Sequence, residues 1–167
     1  MITVVANLKG GSGKSTVVFN LGLWLQMKGQ PVVAYDLDPQ LAVAIDVTFA
    51  SDHPQTDPKK AGEVKLGKGP VLTRGPNINP VIADCLRKVA RLKKIPYQQV
   101  AAARGTGTDA NAMQLSRGGT ATGLISIPNR YMHTPVEVIS TRDLDNAVKL
   151  IVEFIAAHPA TRDYRPL

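Results

Sequence analysis

The chain is predicted to fold as an α/β protein, a three-layer α/β/α sandwich built on a mostly parallel, mixed sheet. Two observations carry this reading. Short apolar, β-branched runs alternate with longer segments whose apolar positions recur at helical spacing. The first such segments also read as a β-loop-α-β crossover, a unit of parallel sheets. With 167 residues, 44% of them hydrophobic, the chain can bury one ordinary core. Residues 1–158 are therefore expected to form a single domain and residues 159–167 a tail.

Ile2 to Ala6 is a short β-branched run and reads as a buried strand. The glycine-rich stretch NLKGGSGKST, residues 7–16, follows at once. From Ser15 to Lys28 the residues Val17, Val18, Leu21, Trp24 and Leu25 recur at helical spacing, and Gly29 supplies the stop. Pro31 to Leu37 is a second strand with an acidic exit. Leu41 to Ala50 is again strand-like, yet only Asp38-Pro39-Gln40 intervene, too few for a parallel return of roughly a dozen residues. The two runs form either an antiparallel pair or one long strand bent at the proline.

A polar loop spans Ser51 to Gly62, and Pro70 to Arg74 gives a short strand. Asn79 as cap and Pro80 in the first turn open a helix whose buried stripe is Val81, Ile82, Cys85, Leu86, Val89 and Leu92. Pro96 to Ala101 is a strand. RGTGTDANAMQ is a glycine loop leading into a short helix, with Thr108 and Asp109 as candidate caps. Ala121 to Ile127 is a core strand. The last helix, about Leu144 to His158, has Ser140 and Asp143 at capping-box spacing and an apolar stripe from Leu144 to Ile155.

Composition narrows the function classes. The formal charge is +7, but the basic residues are spread along the chain, with short clusters only at Arg87-Lys88, Arg91 and Lys93-Lys94. That pattern suits a solvated face rather than a nucleic-acid surface. The single cysteine, Cys85, excludes an internal disulfide and a multi-cysteine metal site. No apolar run reaches membrane-spanning length, and the first residues do not resemble a secretory leader. The chain is thus read as soluble and cytoplasmic, with no membrane partner.

Gly10, Gly11 and Gly13 let the backbone curl so that successive N–H groups converge on an anion, and the N-terminus of the following helix adds its dipole. Ser12 and Thr16 complete the loop. Lys14 would reach the β- and γ-phosphates, and Ser15 would place its hydroxyl on Mg²⁺. The strict pattern wants glycine at position 8, where the chain has Leu8, and Lys9 stands just before the double glycine. KGGSGKST after one strand, with YDLDPQ at the end of the next, resembles the deviant phosphate-loop ATPases of the ParA/MinD type over Met1 to Gln40. The resemblance implies that Lys9 reaches a nucleotide across a dimer, that Lys14 and Ser15 hold phosphate and Mg²⁺, and that Asp36 or Asp38 sits near the attacking water.

Beyond Gln40 a different family is resembled, the dinuclear-metal aminopeptidases of the TET and cellulase-M-like type. AIDVTFASD, KLGKGPVLTRGPNINP, GTGTDANAMQLSRGG and SIPNRYMHTPVEVI carry the likeness in family order. It implies that Asp46 and His133 are metal ligands, one for each of two ions, and that Thr108 and Asp109 lie near the active centre. The family's N-terminal histidine, bridging aspartate and Glu-Glu pair have no counterpart here. A catalytic site takes about three protein ligands per ion, so the metal site is expected to be vestigial, with no zinc bound. Arg130 is expected to remain an exposed basic group.

Together these readings describe an engineered chimera in which residues 1–40 are spliced to residues 41–158. Its expected ligand is phosphate, sulfate, or ATP or ADP with Mg²⁺, held with little or no catalysis by a monomer or dimer. The alternatives are an inactive scaffold without a ligand and, behind it, a residual ATPase or metallo-aminopeptidase.

Overall fold

The computed structural model describes residues 3–5, 41–54, 56–115, 119–157 and 164. Strands β1 (Thr3–Val5) and β2 (Leu41–Phe49) are parallel, with Thr3 opposite Ala42. On its other side β2 runs parallel to β5 (Ala121–Arg130) in unbroken register from Leu41↔Ala121 to Phe49↔Asn129. Leu41 to Ile45 are buried without alternation, as expected of a parallel strand covered on both faces.

Past β5 the direction reverses. Strand β3 (Val71–Arg74) is antiparallel to β5, and β4 (Gln98–Ala101) is parallel to β3. Short β6 (Val138–Ile139) pairs antiparallel with the far end of β5, so the order is β1-β2-β5-β3-β4 with β6 on β5. The α/β class and the mixed, largely parallel sheet are as the sequence predicts. The orientation break lies at β3–β5 and β5–β6; the pairing expected of Pro31 to Leu37 falls outside the described residues. Pro128 sits between Ser126, where β3 pairs, and Asn129, where β6 takes over. A residue without an N–H is tolerated at such a gap between ladders.

The longer helices are α2 (Pro80–Leu92) and α4 (Thr141–Ala157). The α2 start is the expected one, because the Asn79 side chain accepts from Val81 N at 2.9 Å and Ile82 N at 3.2 Å, with proline in the first turn. Ile82, Leu86, Leu150, Ile151 and Phe154 share one core with Val43, Ile45, Ile125 and Ile127. The period-two alternation of β2 and β5 sends Ala44 and Leu124 to the opposite face. There they meet Ala110 of the short helix α3 (Asp109–Met113). Gly123 marks the closest approach of α2 to the sheet, since a Cβ there would lie 2.6 Å from Ile82 Cγ2. Cys85 is buried on α2, as its place in the stripe predicts.

Two local expectations are revised. Within the segment read as a loop, α1 (Pro58–Ala61) forms a single turn, capped by Asp57 accepting from Lys59 N at 2.9 Å. No capping box forms at the last helix, which begins at Thr141: Asp143 N donates to the Ser140 carbonyl at 3.0 Å, while the Asp143 carboxylate turns away from the helix end. It accepts from Gly67 N and Gly69 N, both at 2.7 Å, and is fully buried. A local cap loses here to two amides of a distant loop, one of them on the buried Gly69. Of the tail from Pro159, Tyr164 is described; it packs against the main core, and its carbonyl accepts from Asn79 Nδ2 at 2.8 Å.

Candidate functional site

The parallel pair β2–β5 brings its two exits to one edge of the sheet. Because β3 is antiparallel to β5, the segment leading into β3 arrives at that same edge. Residues 50–57, 62–70 and 131–137 therefore meet there. The carboxyl edge of parallel strands is where open α/β sheets place their ligands.

Asp46 lies in β2 opposite Ser126, and its Oδ1 accepts from Val47 N at 2.8 Å. His133 lies in the turn that follows β5. That turn is sharp: Tyr131 and His133 both have positive φ, 57° and 68°, and Thr134 donates twice to the Tyr131 carbonyl, from N at 3.1 Å and from Oγ1 at 2.6 Å. His133 N donates to Glu137 Oε1 at 2.7 Å, and Glu137 Oε2 accepts from Asn129 Nδ2 at 3.1 Å. The His133 ring meets Phe49 edge-on with centroids 6.1 Å apart. Phe49 ends the strand that carries Asp46 but stands three positions after it, so the alternation of β2 turns Asp46 to the sheet face opposite the one on which Phe49 meets His133.

Arg130 departs from its expected role as a free basic group. Its Nε and Nη2 donate to Asp52 Oδ1 and Oδ2 at 2.8 and 2.7 Å, and Leu66 N adds a third bond to Oδ2 at 2.9 Å. One carboxylate thus ties together the three segments of the edge. The Arg130 hydrogen bond, aided by the Leu66 amide and the guanidinium charge, outweighs burial and lowers the Asp52 carboxyl from 3.8 to about 2. A folded-state value below the unfolded one means that the ionised group adds stability above about 3.8, and that this contribution disappears as pH falls through about 2. Thermal melts of the protein and of an Asp52→Asn variant should differ at pH 6 and converge between pH 3.8 and about 2.

Two further side chains at this edge escaped the sequence reading. The His53 ring packs on Tyr131 at 4.8 Å and its Nε2 bonds Thr56 Oγ1 at 2.8 Å, leaving Nδ1 buried without a partner; Asn129 Oδ1 is likewise unpartnered. Asp52 ends the AIDVTFASD stretch and His53 directly follows it, and Glu137 stands four residues after His133. The only available signal was that proximity.

Thr108 and Asp109 stand at the start of α3, on the sheet face to which Ala44 and Asp46 turn. Strand β4 exits at the opposite edge, and α3 then lies against Ala44 and Leu124 at the middle of the sheet. Thr108 makes no capping bond; its hydroxyl bonds Thr106 Oγ1 at 2.7 Å. Lys9, Gly10, Gly11, Ser12, Gly13, Lys14, Ser15, Thr16, Asp36 and Asp38 lie outside the described residues.

A carboxylate and an imidazole are donors of the kind zinc takes, so Asp46 and His133 suit a divalent ion by chemistry. Among the described residues no group of three or more His, Cys, Asp or Glu is placed to hold one. Among the same residues, no helix is long and apolar enough to cross a membrane.

Comparison with known proteins corrects the nucleotide reading. The chain is 45% identical over 126 residues to the lysyl aminopeptidase of Pyrococcus furiosus, covering 74% of this chain and 35% of that one. A TET aminopeptidase structure from a marine-sediment Thaumarchaeota archaeon aligns with TM-score 0.75 at 26% identity, covering 86% of this chain and 46% of that one. A shorter match, 47% identical over 53 residues, links 32% of the chain to 12% of a candidate replication protein A of Rhizobium rhizogenes. The chain spans less than half the length of these relatives. An engineered scaffold for phosphate or Mg²⁺-ATP/ADP is not what these matches support, because the likeness along most of the chain is to aminopeptidases. The expectation of no zinc site falls with it, since this is a family of dinuclear-metal enzymes. Its M42 glutamyl aminopeptidase pattern runs through residues 2–150, across the whole edge that carries Asp46 and His133, and the chain belongs to that family.

Proposed function

We propose that the chain serves a metal-dependent aminopeptidase, contributing Asp46 and His133 to the divalent-metal centre at which the bond after a peptide's N-terminal residue is hydrolysed. The observation that supports the reading is the in-register β2–β5 pair, in which one strand carries Asp46 and the other leads into the turn that bears His133. When bound, such an ion would polarise the scissile carbonyl and lower the pKa of a water. The chain's own residues hold and orient: Asp46 is fixed on a buried strand, His133 on a turn anchored to β5, and the Asp52–Arg130 pair ties the flanking segments. No glutamate precedes Asp46 in the sequence, so a general base of the family's Glu-Glu type is drawn from outside residues 1–45.

The stretches KGGSGKST and YDLDPQ favour, as a second reading, a separate origin for residues 1–40 from a ParA/MinD-type segment.

Equilibrium dialysis against zinc or cobalt, with bound metal measured by elemental analysis, tests the site. Binding that is lost in Asp46→Ala and in His133→Ala is the expected result. Metal content unchanged in both variants would refute it. Release of p-nitroaniline from leucyl and lysyl p-nitroanilides, dependent on the same two residues, would identify the reaction.

A further inference from the structure

We infer that Glu137 is a positioning residue for His133, fixing the backbone of the turn from which the imidazole projects. The inference rests on the reading of His133 as a ligand. Three observations lead to it. First, His133 carries a side chain at φ 68°, in the left-handed region that disfavours any residue with a Cβ, so its conformation needs an outside partner. Second, that partner is a single carboxylate: Glu137 Oε1 takes the His133 N–H at 2.7 Å, while Oε2 takes the Asn129 amide at 3.1 Å. Third, Asn129 is an immobile anchor. It is buried, it stands opposite Phe49 and Ile139 in the two ladders of β5, and its carbonyl accepts from Ala50 N at 2.9 Å. Glu137 thus bolts an exposed turn to the rigid end of the central strand, and the ring beyond the bolt meets Phe49 of the Asp46 strand.

The unpartnered Asn129 Oδ1 makes the idea testable with a conservative change. In Glu137→Gln the side-chain carbonyl can still accept from His133 N, and the Asn129 amide can turn so that Oδ1 accepts from the new Nε2–H. In Glu137→Ala both donors lose their partner and the His133 turn is released. Partners that orient a metal-bound histidine typically change metal affinity by about tenfold or more.

The experiment is a zinc titration of the full chain followed by histidine imidazole NMR. The protein has three histidines, and His53 and His158 serve as internal controls beside His133. The His133 resonance should shift on zinc addition in the parent, require about tenfold more zinc in Glu137→Ala, and return close to the parent midpoint in Glu137→Gln. Thermal melts without metal establish that all three proteins are folded. A Glu137→Ala titration that overlays the parent overturns the positioning role alone. A parent whose His133 resonance ignores zinc overturns His133 as a ligand, and this inference with it.

Discussion

Alanine at position 69 is expected to destabilise the protein by about 4 kcal/mol, the largest effect of any single methyl group in the described fold. Gly69 has φ +97°, where a Cβ is strained before any neighbour is considered. Such a Cβ would fall on the Pro96 carbonyl oxygen and within 2.8 Å of Tyr97 N, both of them backbone atoms that cannot turn aside as a side chain does. Relief requires β3 and the segment before β4 to separate, which also pulls Gly69 N from Asp143. For a chain of this length the loss corresponds to a fall in melting temperature of about 10 °C. Gly67, with φ +76° but open space around its Cα, should suffer the backbone strain alone, about 1 kcal/mol. Equal losses at the two positions by urea unfolding would mean that the contact with Pro96 is irrelevant.

Asp143→Ala is expected to be nearly as damaging, at about 3 kcal/mol. The carboxylate is fully buried and accepts two backbone N–H groups that close the segment leading into β3. Its removal leaves the buried Gly69 N–H without its acceptor, gives the exposed Gly67 N–H back to solvent, and also takes a negative charge from the first turn of α4. Asp143→Asn keeps one acceptor but turns an NH2 toward the other N–H, so it should recover less than half of the loss. Because Gly69 and Asp143 share a hydrogen bond, the double variant Gly69→Ala, Asp143→Ala should lose less than the sum of the two single changes. Strict additivity in urea unfolding would show that the bond does not couple them.

How much of this was legible depends on the range over which each signal acts. The Asn79-Pro80 start of α2, the burial of Cys85 and the strand from Ala121 to Ile127, which runs on to Arg130, were readable because caps, stripes and β-branched runs are local. Asp143 was misread for the complementary reason. Its spacing from Ser140 satisfied a local rule, while the amides that capture it lie some seventy residues earlier, where periodicity says nothing. Strand neighbours were hidden in the same way, and the reversal at β3–β5 could not be assigned from runs of apolar residues. At the site, Asp46 and His133 came from motif resemblance rather than from any physical pattern of their own. Glu137 sat inside a quoted motif, yet a carboxylate four residues from a histidine in a loop has meaning only once the turn is seen to bring it under the His133 amide.

The central ladder has a consequence for how the molecule comes into being. Its register joins Leu41 to Ala121 and Phe49 to Asn129, so the strand bearing Asp46 finds its partner only after a long intervening stretch of chain exists. Closing so large a loop carries an entropic penalty that is recovered late, and folds rich in such remote pairings form slowly. On the ribosome β2 is made well before β5, and during that interval its buried face of Leu41, Val43 and Ile45 lacks the neighbouring strand and the α4 residues that complete its cover. The carboxyl edge is then among the last parts to assemble, and the nascent chain is most vulnerable to aggregation just before residues 121–130 emerge.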